Sequence, residues 1–126
     1  TQSDINASVI EGIVFNHKHH FDMLSEKVDT SGRIIATGGS MQSDIWAQLV
    51  ADVFNRDIEI SDADESGARG LAILAGVSQG IYSSIKDGIS QTVSTRIIFK
   101  PNPNHVPFFA QRYKKYREYA KNLTNV

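Results

Sequence analysis

The stretch from residue 33 to residue 46 reads Arg-Ile-Ile-Ala-Thr-Gly-Gly-Ser-Met-Gln-Ser-Asp-Ile-Trp. Its first part is a short apolar run, typical of a buried strand, and the glycine pair Gly38-Gly39 stops that run. Apolar residues then recur at helical spacing, so the stretch predicts a strand, a tight turn and a helix. Glycines at the end of a strand let the main chain approach a ligand, and the amides that open the next helix favour an anion. We interpret the unit as a nucleotide or anion site.

A simpler interpretation of the same stretch needs no ligand. Gly38-Gly39 would make a sharp turn, and Ser40 or Ser43 would cap the following helix by accepting bonds from its free amides. Residue spacing leaves both interpretations open, because the stretch has neither the six-position glycine pattern of dinucleotide-binding folds nor the lysine of a phosphate loop.

Capping residues and hydrophobic periodicity predict the remaining elements. The first predicted element is a helix capped by Ser3 or Asp4 and running to Leu24 or Val28. The strand at 33–37, a helix from Asp44 to Asn55 and a short strand at 58–60 follow it. The next predicted elements are a helix entered from Asp62 or Asp64 and ended by Gly80, and a short helix at 81–88. A strand follows at 93–99, with Val93, Thr95, Ile97 and Phe99 on one side. The final helix is capped by Asn104, has Pro107 in its first turn and runs to Asn122.

This order of elements predicts an α/β fold with a small sheet flanked by helices. Two or three short strands make a sheet that is poorly stable by itself. We therefore expect the chain, residues 1–126, to be a terminal segment of a longer protein whose sheet is completed by other sequence.

The predicted third helix is rich in small residues, among them Gly67, Ala68, Gly70 and Gly76. Each glycine inside a helix costs up to about 1 kcal/mol relative to alanine. We infer that another element or a ligand packs closely against this helix.

Composition excludes several classes of protein. The chain has 126 residues, thirteen basic and fourteen acidic side chains and no cysteine. A formal charge of −1 gives no general attraction to nucleic acid or anionic membranes, and the lack of cysteine excludes disulfide frameworks and thiolate zinc sites. No apolar run approaches the roughly 20 residues of a membrane span. We predict a cytoplasmic protein that binds neither nucleic acid nor membrane.

Two further clusters invite a functional interpretation. The first cluster is His17, His19 and His20. His17 and His20 could share a helix face, but no third ligand is evident beside them, so we predict no metal site there. Basic residues interleave with a stripe formed by Tyr113, Tyr116 and Tyr119, which we expect to pack on the core of the chain. A dimerisation module using this stripe and the first helix is the structural alternative.

The glycine stretch also carries a resemblance to a known family. Gly38-Gly39-Ser-Met-Gln-Ser43-Asp-Ile-Trp46, followed after a short strand by Glu65-Ser-Gly67-Ala68-Arg-Gly70, resembles the C-terminal part of FGGY carbohydrate kinases, the sugar kinases of the actin-like ATPase superfamily. Helix 6–24 and the segments around Pro101 and Tyr113 resemble the parts of the family on either side, so the resemblance covers nearly the whole chain.

The resemblance implies a ribonuclease-H-like (actin-like ATPase) fold with a small mixed sheet, and a site for ATP. In the family, the positions of Gly38 and Gly39 pass against the phosphates and ribose, that of Ser43 lies near the adenine, and Ser40 stands where a small residue is usual. The glycine-alanine helix packs behind the nucleotide. Leu71 departs from the family, which commonly has a second small residue there, and Glu65 matches an acidic position without an assigned contact.

The resemblance further implies what the intact enzyme does. It would transfer the γ-phosphoryl group of ATP, with Mg²⁺, to a hydroxyl of a pentulose, related ketose or polyol. The phosphate loop, the sugar pocket and the catalytic carboxylate are expected before Thr1, so we predict no catalytic residue and no metal ligand within this chain. A non-catalytic nucleotide-binding module and a homodimerisation module of the same fold are the alternatives.

Overall fold

A computed structural model describes residues 1–62 and 65–124. Five helices and three strands make up this part of the chain: α1 (Gln2–Ser25), β1 (Ile34–Ala36), α2 (Asp44–Phe54), β2 (Ile58–Ser61), α3 (Ser66–Ser78), α4 (Ile85–Thr92), β3 (Thr95–Phe99) and α5 (Val106–Thr124). A single turn of 3₁₀ helix, Gly39–Gln42, lies between β1 and α2. None of the described helices is long and apolar enough to cross a membrane.

The three strands form one mixed sheet in the order β1-β2-β3. β1 is parallel to β2, and β2 is antiparallel to β3. Ile58 and Ile60 on β2 are almost fully buried, and their neighbours across the sheet, Ile34, Ala36 and Phe99, pack on the same core. This face of the sheet lies against α2. The small mixed sheet expected from the sequence is therefore confirmed.

The core joins this sheet face to the helices α1, α2 and α5. Its buried residues are Val14 and Phe15 of α1, Met41 of the 3₁₀ turn, Ala47, Val50, Ala51 and Val53 of α2, and Ile58 and Ile60 of β2. Their burial supplies the main free energy that holds the four elements together. On the opposite face of the sheet Ile35 and Ile98 remain about half exposed, at 55% and 48%.

Local signals set the ends of α2 as the sequence predicts. The Ser43 hydroxyl accepts a bond from the Trp46 amide at 3.4 Å, and Asn55 ends the helix in the left-handed conformation at φ 50°. Asparagine tolerates this conformation better than other residues with a side chain. Ser43, rather than Ser40, is therefore the cap.

Several predicted helix limits are wrong. Thr1, not Ser3 or Asp4, caps α1, because its hydroxyl accepts from the Asp4 amide while the Asp4 carboxylate accepts from the Thr1 ammonium. The end of that helix is as predicted, since Ser25 lies between Leu24 and Val28. Glu65 occupies the capping position of α3 without a side-chain bond, which excludes Asp62, and Asp64 lies outside the described residues. The last helix begins at Val106, two residues beyond Asn104.

The fourth helix lies four residues later than the segment 81–88 predicted for it. Ser84 caps α4 by accepting from the Asp87 amide at 3.1 Å, so the helix spans 85–92. Tyr82 is held outside it, against the faces of α3 and α4 at Gly76 and Gly88. Packing of this ring between two helices replaces the predicted helical turn.

A bulge in β3 breaks the alternation predicted for residues 93–99. Ile60 pairs with Ile97 while the next residue, Ser61, pairs with Thr95, which leaves Arg96 as an extra residue. The hydroxyl of Thr95 donates to Glu59 at 3.0 Å, on the sheet face opposite to Ile60 and Ile97. Thr95 and Ile97 therefore lie on different faces, contrary to the prediction.

Candidate nucleotide site

The candidate site lies at one edge of the sheet, where β1 and β2 both end. Since these strands are parallel, the segments that follow Ala36 and Ser61 leave the sheet at the same edge. The Thr37 hydroxyl donates to the Ser66 hydroxyl at 3.4 Å, which brings the segment after β1 to the first residue of α3. In open α/β sheets, ligands bind in the crevice at the carboxyl ends of the strands.

The segment that follows β1 is the glycine turn, which we define as residues 38–42. Gly38 adopts φ 107° and ψ 168°, a conformation that residues with a side chain rarely adopt. Gly39 does not have a positive φ, and a Cβ added to it would meet no described atom within 4 Å. The backbone conformation thus requires a glycine at position 38. At position 39 no described atom is close enough to exclude a side chain.

The turn is open on one side and anchored on the other. Gly38, Gly39, Ser40 and Ser43 are all exposed, while the side chain of Met41 is buried in the core. Within the turn the Met41 amide donates to the Gly38 carbonyl at 3.0 Å, and the Ser43 amide donates to the Ser40 carbonyl at 3.2 Å. The structure therefore brings the four residues predicted to bind ATP to one exposed segment.

Two amides of this segment are available to a ligand. Those of Gly39 and Ser40 open the 3₁₀ turn and have no partner among the described residues, as expected for the first amides of a helical segment. The hydroxyl oxygen of Ser43 already accepts a hydrogen bond from the Trp46 amide, but the hydroxyl hydrogen can still donate to a ligand. Amides and a hydroxyl in such an arrangement can bind phosphate oxygens without a charged side chain.

The segment that follows β2 is held by the carboxylate of Asp62. This carboxylate accepts from the amide and hydroxyl of Ser94, at 3.2 and 2.5 Å, and from the guanidinium of Arg69 at 2.8 Å. The bonds from Ser94, together with the charge of Arg69, lower the pKa of Asp62. Arg69 also donates to the Thr92 carbonyl at 2.7 Å, so one network ties the entry to α3 to the start of β3.

The small residues of α3 face two different environments. A Cβ at Gly76 would lie 2.6 Å from the ring of Tyr82, which confirms the inference that another element presses against this helix. At Gly67 and Gly70 an added Cβ would meet no described atom within 4 Å. The end of α3 nearest the glycine turn is thus open, and Leu71 on the same helix is 70% exposed.

The two remaining clusters from the sequence analysis lie away from this edge. Among the described residues, no group of three or more His, Asp or Glu side chains could hold a metal ion. The ring of Phe15 contacts those of Tyr113 and Tyr116, with centroids 5.8 and 5.6 Å apart. Tyr119 is instead 68% exposed. The prediction that the tyrosine stripe packs on the core thus holds for two of its three members.

Burial and contact with Asp22 change the acidity of one of these tyrosines. The Tyr113 hydroxyl donates to the Asp22 carboxylate at 2.7 Å. Burial and this hydrogen bond raise the pKa of Tyr113, because both disfavour the phenolate. The hydroxyl therefore stays protonated and fastens α5 to α1 across the physiological pH range.

Comparison with known proteins identifies the family. The model of the C-terminal domain of the FGGY family of carbohydrate kinases matches residues 1–79. The chain belongs to this family. The match includes both the glycine turn and the Gly67-Ala68 pair, on which the resemblance was based, and the resemblance is confirmed.

Individual relatives match nearly the whole of this chain. It is 26% identical to the L-xylulose/3-keto-L-gulonate kinase of Escherichia coli (strain K12), across 93% of this chain and 24% of that kinase. It is 32% identical to the ribulokinase of Vibrio parahaemolyticus serotype O3:K6, across 97% of this chain and 22% of that enzyme. The chain spans about a quarter of the length of these curated relatives.

A solved structure confirms the fold. The gluconate kinase from Lactobacillus acidophilus superposes with a TM-score of 0.85 at 28% identity, covering 98% of this chain and 25% of that one. The fold is accordingly that of the actin-like ATPases, as the resemblance implied.

The sequence predicted no role for three residues at the edge of the sheet where β1 and β2 end. Thr37 and Ser66 lie inside the quoted motifs but received no role, because their contact joins segments 29 residues apart. Arg96 was missed because the bulge that directs its side chain depends on strand pairing. The strand sequence carries no signal for it, because Arg96 falls on the outer side of the predicted alternation, where a charged residue is ordinary.

Proposed function

We propose that this chain forms the adenosine and phosphate side of the ATP site in a cytoplasmic carbohydrate kinase. The observation that carries the proposal is the exposed glycine turn at the carboxyl end of β1, beside the open start of α3. Its Gly39 and Ser40 amides have no partner among the described residues. Membership of the FGGY family supports it. Gly38 and Gly39 pass against the phosphates and ribose, Ser43 lies near the adenine, and Ser40 supplies an amide and a small side chain.

The chain would be one part of a longer kinase, and its partner would be the rest of that same kinase. Two features support this: the relatives are about four times as long, and one sheet face leaves Ile35 and Ile98 half exposed. The rest of the kinase would provide the sugar pocket and the carboxylate that accepts the proton of the attacking hydroxyl.

The reaction proposed for the whole enzyme is transfer of the γ-phosphoryl group of ATP to a hydroxyl of a pentulose, related ketose or polyol. Such transfer depends on positioning and on stabilising charge around the phosphates. Mg²⁺ would accompany ATP, but the described residues contain no cluster of three or more His, Asp or Glu side chains that could hold a metal ion, and we assign it no ligand in this chain. The chain itself would contribute nucleotide binding through main-chain amides.

The test is the affinity of the full-length kinase for ADP, measured by titration calorimetry without sugar. Gly39→Asp places a carboxylate where phosphate would approach, and a unit charge a few ångströms from another in a protein surface cleft should weaken binding on the order of 10- to 100-fold. Gly32→Asp is the matched control, because Gly32 is also exposed and unobstructed but precedes β1 at the other edge of the sheet. Equal ADP affinity in the two variants would contradict the proposal.

A second measurement separates the alternatives. Phosphorylation of a panel of pentuloses, gluconate and polyols by the unmodified full-length protein supports the kinase, whereas ADP binding with no phosphorylation of any of them supports a non-catalytic nucleotide-binding module. A homodimer built on the tyrosine stripe is disfavoured by the packing of Tyr113 and Tyr116 against Phe15 within the chain.

A further inference from the structure

Arg96 is the extra residue of the bulge in β3, and the bulge decides where its side chain goes. In a regular strand, side chains alternate between faces, so Arg96 would share a face with Ile98 and Glu59. The insertion between the pairs Ile60–Ile97 and Ser61–Thr95 interrupts that alternation. Bulges are known to redirect a side chain next to a functional site.

The redirected guanidinium reaches the glycine turn. Nη2 of Arg96 donates to the carbonyl oxygen of Met41 at 3.3 Å. Carbonyls in the last turn of a helical segment lack an intrahelical donor, and a charged donor makes a stronger bond than a neutral one. Arg96 and Gly38 also line the same small cavity beneath the turn.

The glycine turn needs attachments of this kind. Two glycines in succession leave the main chain more conformational freedom than any other pair of residues, and that freedom is lost when the turn is ordered. Met41 attaches the turn on its inner side through its buried side chain. Arg96 adds a second attachment through the carbonyl of the same residue.

We propose that Arg96 is a positioning residue that holds the glycine turn in the shape in which its amides meet the nucleotide phosphates. The proposal rests on the nucleotide-binding role proposed for Gly39 and Ser40. Arg96 acts through the main chain of Met41 and is assigned no contact with the nucleotide. Amides serve a bound phosphate only when they are held within a few tenths of an ångström of the required geometry.

The first experiment follows hydrogen–deuterium exchange of the full-length kinase without nucleotide. Arg96→Met keeps a long side chain but removes the charge and the donors. We expect exchange at the Met41 and Ser43 amides, which close the turn, to accelerate about tenfold, the lower end of what the loss of one bond from a charged donor implies. Arg96→Lys retains a cation with a single donating group, and we expect it to restore part of the protection.

The matched control is another arginine that holds a loop through carbonyl oxygens. Arg56 donates to the carbonyls of Thr30 and Ser31, each at 3.0 Å, and to that of Gly32, at the opposite edge of the sheet. Arg56→Met should accelerate exchange near residues 30–32 and leave the glycine turn protected.

The second experiment measures ADP affinity by titration calorimetry on the same variants. We expect the ADP dissociation constant to rise about five- to tenfold in Arg96→Met and to stay unchanged in Arg56→Met. Unchanged exchange at Met41 and Ser43, acceleration spread evenly over the whole chain, or local acceleration with unchanged ADP affinity would each overturn the proposal. The proposed function fails separately, through unchanged ADP affinity in Gly39→Asp.

Discussion

Nδ1 of His105 lies 2.9 Å from a carboxylate oxygen of Asp52, and this contact fastens the start of α5 to the buried side of α2. Asp52 is only 3% exposed, and its other oxygen accepts from the Asn102 amide at 2.7 Å and from Gln48 at 2.8 Å. A buried carboxylate is tolerated only when its oxygens are bonded in this way. Asp52 therefore holds in place the corner between β3 and α5, which contains Pro101 and Pro103.

Replacement of Asp52 should reveal how much this corner depends on it. In Asp52→Ala the Asn102 amide loses its acceptor, while Gln48 keeps only its bond to the Lys100 carbonyl. We expect the free energy of unfolding to fall by about 2–4 kcal/mol. Asp57→Ala is the control, since Asp57 is exposed and such changes are usually within about 0.5 kcal/mol. Urea denaturation measures both, and equal stability of the two variants would show that the corner is held by other contacts.

The contact between Gly76 and Tyr82 predicts opposite effects for two alanines in one helix. A Cβ at Gly76 would lie 2.6 Å from two ring carbons, so Gly76→Ala must move the ring and should cost about 1–3 kcal/mol. Gly70→Ala meets no described atom within 4 Å and should gain up to about 1 kcal/mol from helix propensity. Thermal unfolding distinguishes them, and a gain in stability from Gly76→Ala would mean that Tyr82 moves aside without cost.

The lowered pKa of Asp62 predicts how stability changes in acid. A carboxyl whose pKa is lower in the folded state than its ordinary 3.8 stabilises the fold fully above that ordinary value. This contribution is lost as the pH falls from about 3.8 through the lower, folded pKa. We expect Asp62→Asn to be less stable than the unmodified chain at pH 7, with the difference shrinking below about pH 4.

Melting temperatures recorded from about pH 7 to about pH 2.5 test this dependence. Asp57→Asn is the control, because Asp57 is exposed and precedes β2, away from the Asp62 network, so its replacement should leave the pH dependence of the melting temperature unchanged. A constant difference between Asp62→Asn and the unmodified chain at every pH would show that ionisation of Asp62 does not contribute to stability.

Local chemistry was enough to predict α2 and β1. Ser43, Asp44 and Asn55 specify the two ends of α2 through bonds and conformations that involve only near neighbours, and the apolar run before Gly38 needs no distant partner to be recognised as a strand. The predicted start of α4 was wrong although a local signal was present, since Ser84 and Asp87 have the spacing of a capping pair.

Residue types at short, countable spacings were sufficient to predict the family, the glycine turn and the order of helices and strands. The residues that hold the turn and the corner in place became apparent only in the folded structure. The bond from Arg96 to the Met41 carbonyl and the bond between Asp52 and His105 each join residues more than 50 positions apart. Such contacts arise when the sheet and helices pack together, and no periodicity within one segment records the position of a partner in another.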